Sequence, residues 1–98
     1  MSKYGHLTSD TTTTPRPTVT QITITDTARN KYTRTTTNRS KSLDVMHSPK
    51  ELKILVRDCR GTLYYRESED TYYLLTPDSL VLVIKHAPNT LTIITQRH

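Results

Sequence analysis

The sequence predicts an α+β fold: a short N-terminal strand and two helices packed on a four-stranded antiparallel β-meander. Three observations predict it. Apolar residues keep a helical spacing through Ser48–Arg60 and switch to strict alternation after Gly61. Four alternating runs then follow, joined by short connections rich in turn-forming residues, as hairpins require. The whole chain is 98 residues, the length of one small domain.

The elements follow in order. Residues 1–18 contain T-S-D-T-T-T-T-P-R-P-T and almost no apolar side chain, so they are expected as a disordered or extended Thr/Pro-rich arm, with a single domain over 19–98. Gln21–Thr25 alternates and sets Ile22 and Ile24 on one face, a short strand. Thr25 or Asp26 can cap a weak helix in which Ala28 and Tyr32 are the apolar i, i+4 pair. The next helix carries the strongest local signal. Ser48 is a natural N-cap, Pro49 suits the first helical position and Glu51 completes a capping box. Leu52, Leu55, Val56 and Cys59 form its apolar face; Lys50, Lys53, Arg57 and Arg60 form a cationic row along another side. The strand candidates are Thr62–Arg66, Thr71–Leu75, Leu80–Lys85 and Thr90–Gln96, with Leu80–Lys85 apolar on both faces and therefore central.

Composition narrows the function. There is no Phe and no Trp, so Leu, Ile, Val and Tyr must build the core. The formal net charge is +5, and it is concentrated: Thr27–Arg60 holds nine Lys/Arg against three acids. Concentrated basic charge favours nucleic acid or an acidic protein surface as partner. Cys59 is the only cysteine, which excludes an internal disulfide, and its place on the apolar face reads as packing. The four histidines share no ligand spacing and two glycines cannot make a phosphate loop, so neither a metal nor any other cofactor is expected. No apolar run reaches transmembrane length and no signal-peptide core is visible, so a cytoplasmic protein without membrane contact is expected.

Metal-free phosphodiester chemistry needs only a base, an acid and cations around the phosphorane. His47, Arg66 and Thr95 are the candidates nearest such chemistry, and Arg29, Lys31, Arg34, Lys50, Lys53, Arg57 and Arg60 are the candidate phosphate grips. The stretch T25-D-T-A-R-N-K-Y-T-R34, the hairpin R60-G-T-L-Y-Y-R66 and the ending I93-I-T95 resemble the small ribonuclease-like toxin fold group, which includes barnase-, RelE- and colicin-nuclease-like domains. One of its subgroups opens with a strand followed by T-D-H-A-x-x-R-x-x-x-R. The resemblance implies RNA as substrate and no cofactor. The motif's His is Thr27 here, so its role would have moved to His47 or His86, or been lost.

Two functions are therefore expected. One is a basic RNA-directed protein of metal-independent endoribonuclease, toxin-like type. The other is a non-enzymatic phage-type effector that binds and inhibits a host protein or nucleic acid. RNA or another polyanion is the partner in the first, and a host or cognate inhibitor protein or a homodimer is compatible with either.

Overall fold

The computed structural model of the chain describes residues 11–30 and 46–97. In chain order its strands are β1 (Thr11–Thr13), β2 (Gln21–Ile24), β3 (Thr62–Arg66), β4 (Thr71–Leu75), β5 (Val81–Ala87) and β6 (Thr90–Arg97). Residues 26–30 are helical (α1), and α2 is Pro49–Arg57. All strands belong to one six-stranded sheet in the order β1-β3-β4-β5-β6-β2.

This corrects the expected four-stranded antiparallel meander. β3 to β6 do run antiparallel in succession, but they are only the middle of a mixed sheet. β1 adds antiparallel to β3 at one edge, and β2 adds parallel to β6 at the other. Alternation in a sequence reveals which face a side chain occupies, not which strand lies beside it. Gln21–Ile24 alternates in any pairing, and the all-Thr β1 offers no apolar period to read.

The two edges are joined by residues 14–20, which lie on the face of the sheet that carries α2. Arg16 and Pro17 rest beside Val56 and Cys59, over Tyr72, Leu74, Ile84 and Leu91. From Thr13 to Gln21 the chain must cross five strand spacings, about 24 Å, and eight extended residues reach only about 26 Å. The strap is therefore taut, and Pro15 and Pro17 hold it extended. Thr14 N still donates to Leu63 O at 3.0 Å, and Thr20 N donates to Asn89 O at 3.0 Å, anchoring its two ends. Of the arm expected to be disordered or extended, residues 11–18 are extended and lie along the sheet; residues 1–10 lie outside the described residues.

α2 forms as its sequence dictates. Ser48 Oγ accepts from Glu51 N, and the Glu51 side chain accepts in return from Ser48 N, a reciprocal capping box with Pro49 in the first turn. Such a cap is worth about 1 kcal/mol. Leu52 and Val56 are fully buried against the sheet, and each contributes roughly 1.5–3 kcal/mol by leaving water. The helix stops before the expected Arg60. Cys59 turns left-handed (φ 47°), its N–H meets Val56 O at 3.2 Å, and Arg60 N donates to Leu55 O at 2.9 Å. That is a Schellman ending with Cys where Gly is usual. Gly61 follows at φ 120°, and a Cβ there would sit 2.0 Å from Leu75 O, so the turn into β3 requires glycine.

One irregularity decides what faces where. In the β5–β6 ladder Ile84 pairs with Ile93 but Val83 pairs with Thr95, leaving Ile94 as an extra residue. This bulge reverses the alternation of β6. Leu91, Ile93 and then Gln96 face the helices, all three buried, while Thr95 faces the other side beside Val83.

Candidate functional site

The exposed side of α2 and the strap enclose a groove of roughly 400 Å³. Arg16 and Val19 of the strap form one wall with Thr20, Gln21 and Ile22 at the start of β2; Lys53, Ile54 and Arg57 of α2 form the other. The helical period explains the arrangement: burying Leu52 and Val56 turns Lys53 and Arg57 outward together. Three cations therefore converge on one depression with apolar patches between them.

Their acid neighbours are few. Arg57 Nε donates to Asp58 Oδ1 at 3.1 Å, and Arg60 Nη2 lies 3.6 Å from Asp58 Oδ2. The Asp58 carboxyl is held below its usual range, first by the hydrogen bond from Arg57 and then by the charges of Arg57, Arg60 and Arg16. One carboxylate is thus shared by Arg57 and Arg60. Lys53 has no acid partner among the described residues.

His47 is placed very differently. It stands just before α2, with its side chain only 15% exposed, between two carboxylates: Nδ1 is 3.3 Å from Glu51 Oε2 and Nε2 is 3.0 Å from Asp78 Oδ2, the second contact off-line for a hydrogen bond. Asp78 is presented by the β4–β5 turn, where its carboxylate accepts from Thr76 Oγ1 and the same hydroxyl accepts from Leu80 N at 3.0 Å. Both carboxyls are held low. For Glu51 the largest cause is the Ser48 hydroxyl; for Asp78 it is the Thr76 hydroxyl, and His47 adds to each. The backbone of His47 is held as well. Its N–H donates to Gln96 Oε1 at 2.8 Å, and Gln96 Nε2 donates to His47 O at 2.9 Å and to Ala28 O at 3.1 Å. The buried Gln96 amide thereby uses both of its N–H donors and accepts one bond at its oxygen, and it ties β6 to α1 and to the entry of α2.

Arg66 and Thr95 lie on the opposite face of the sheet. The Arg66 guanidinium is 5.6 Å from the Tyr73 ring centroid, and its Nη1 is 3.5 Å from Glu69 Oε1. Tyr73 Oη also donates to Glu69 at 2.6 Å; burial first, then Glu69, pushes the Tyr73 hydroxyl up. Glu69 and Asp70 of this hairpin are thus hydrogen-bond acceptors, with Tyr65 Oη donating to Asp70 at 2.8 Å. Arg66 is on β3 and Thr95 on β6, three strand spacings apart, about 14 Å. The structure does not bring His47, Arg66 and Thr95 together.

Of the candidate phosphate grips, Lys53 and Arg57 line the groove, while Lys50 and Arg60 continue the same exposed row. Arg29 is exposed on α1; Lys31 and Arg34 lie outside the described residues. His86 sits edge-on to Tyr72, ring centroids 6.1 Å apart. Sequence reasoning missed Arg16, because nothing in T-P-R-P signals that the segment returns to the body. Among the described residues no group of His, Cys, Asp or Glu could hold a metal ion, and no helix is long and apolar enough to cross a membrane. Comparison with protein-family models, curated proteins and solved structures gives no match, and none of these comparisons bears on the resemblance to ribonuclease-like toxins.

Proposed function

We propose that this chain is a small non-enzymatic binding protein that captures an anionic partner in the groove between β2 and α2. One observation carries the reading: Arg16, Lys53 and Arg57 converge on a single groove whose nearby carboxylate, Asp58, is already shared among arginines. Cations left in surplus on one depression attract a polyanion, and their effect falls with salt.

The RNA-cleaving alternative asks for a base, an acid and a cation around one phosphate. Its candidates occupy two faces of the sheet, and His47 already has a carboxylate near each ring nitrogen. The binding reading needs no such convergence.

The test uses the full chain with labelled poly-glutamate and labelled oligo-uridylate, by fluorescence anisotropy over a salt series. At least one should bind, and Lys53→Gln with Arg57→Gln should weaken it. For the single-stranded RNA the salt dependence should also flatten, by roughly 0.7 for each phosphate no longer neutralised. The RNA should remain whole on a gel. Unchanged affinity and slope would reduce the groove to a solvated surface, and cut RNA would restore the cleaving alternative.

A further inference from the structure

We infer that β2 is a docking strand for an extended acidic peptide, which adds to its outer edge and sets carboxylates against Lys53, Arg57 and Arg16. This rests on the anion-binding reading of the groove and names the class of its partner.

The backbone supplies the first argument. β2 closes the sheet, and no described strand lies beyond it. Its pairing with β6 is parallel, with Gln21 N donating to Asn89 O at 3.1 Å and Thr25 N donating to Ile93 O at 3.1 Å. Residues 21, 23 and 25 therefore turn their N–H and C=O groups toward β6, and Ile22 and Ile24 turn theirs outward. An extended chain laid along that edge finds alternating donors and acceptors at the spacing a peptide backbone requires.

The groove beside this edge supplies the second. Acidic residues two apart on an added strand lie about 6.8 Å from one another, close to the roughly 6 Å rise between Lys53 and Arg57 on α2. Val19, Ile22 and Ile54 offer apolar contact between the charges.

The same lining argues against the other occupants. Among the described residues no aromatic ring lines the groove, so a single-stranded nucleic acid would find cations there but no described surface on which to stack its bases. A second copy of this chain, pairing β2 to β2, would bring Arg16, Lys53 and Arg57 of both copies together, a like-charge clash. An acidic peptide satisfies the edge and the charge at once.

The experiment titrates the full chain with a fluorescein-labelled decapeptide of alternating Val and Glu, with oligo-uridylate of ten nucleotides in parallel. The peptide should bind, and Lys53→Glu with Arg57→Glu should weaken it at least tenfold while leaving the circular-dichroism spectrum intact. Two further peptides carry N-methyl groups on all Glu nitrogens or on all Val nitrogens, with charge unchanged. Alternate N–H groups of an added strand point to opposite sides, so one methylated peptide should lose at least tenfold and the other should bind nearly as before. Hydrogen exchange at Ile22 and Ile24 should slow when the parent peptide is added. If both methylated peptides bind like the parent, the capture is by charge alone: strand addition is overturned and the anion-binding reading stands. RNA that binds more tightly than the peptide, through the same cations, overturns the peptide and keeps that reading too. Slow exchange at Ile22 and Ile24 in a dimer without peptide overturns the inference in favour of self-pairing. If no anion binds, both readings fall together.

Discussion

Two regions served by the same helix use charge in opposite ways. At the start of α2, His47 stands between Glu51 and Asp78, and its backbone is held by Gln96. Farther along the helix, Arg16, Lys53 and Arg57 crowd one groove, and the nearby Asp58 is already paired with Arg57 and Arg60. In the first region the charges and dipoles face internal partners, so the arrangement holds the fold together. In the second the cations outnumber their partners, so the arrangement is left to engage something outside. Residue type alone does not separate the two, because a His beside a basic row reads as chemistry until its partners are known.

The sharpest way to break this contrast is to remove what the two regions share. A chain beginning at Val19 loses β1 and the strap that covers Tyr72, Leu74, Ile84 and Leu91. It should lose on the order of 3–5 kcal/mol, much of the stability of a domain this size, measured by urea denaturation. A melting curve equal to that of the full chain would return residues 11–18 to the status of a free arm.

Next comes the keystone of the His47 region. Gln96→Leu nearly preserves volume but strands the His47 N–H and the carbonyls of Ala28 and His47. The expected cost is about 2–4 kcal/mol, because buried polar groups would lose their partners. A loss below about 1 kcal/mol would mean that water replaces the amide and that the clamp is loose.

Acid gives a smaller effect of known sign. Glu51 and Asp78 have carboxyl pKa values lowered from the ordinary 4.5 and 3.8. A carboxyl held low in the fold adds stability that is full above its ordinary value and is lost as pH falls through the lowered one. The melting temperature should therefore fall as the solution is acidified from about pH 6 to about pH 3, and Glu51→Gln with Asp78→Asn should lessen the fall. Both side chains are more than half exposed, so screening keeps the effect modest. An identical fall in the double variant would show that other carboxyls govern acid stability.

How much of this was legible depended on whether the signal was local. Ser48, Pro49 and Glu51 announce α2 by themselves, since caps and first-turn prolines act within four residues. Thr62–Arg66 and Thr71–Leu75 match β3 and β4, because short connections leave a hairpin little choice. The bulge at Ile94 had no such signature: T-I-I-T reads as an unbroken strand, and strict alternation would turn Thr95 toward the helices and Gln96 to solvent. That single extra residue separates Thr95 from the side on which His47 lies. The strap was illegible for a different reason. Thr and Pro carry no apolar period, and only the placement of both sheet edges makes the segment taut. Of the site, the cations of α2 were legible from helical spacing, whereas Arg16, Asp78 and the outer edge of β2 emerge only from tertiary arrangement.

The most direct test of the central claim is a backbone NMR titration of the full chain with the alternating Val/Glu decapeptide. The account predicts that shift changes cluster at Ile22, Lys53 and Arg57, with His47, Arg66 and Thr95 still, and that Lys53→Glu with Arg57→Glu abolishes them without lowering the melting temperature. Changes centred on His47, Arg66 or Thr95, with the groove unmoved, would contradict it.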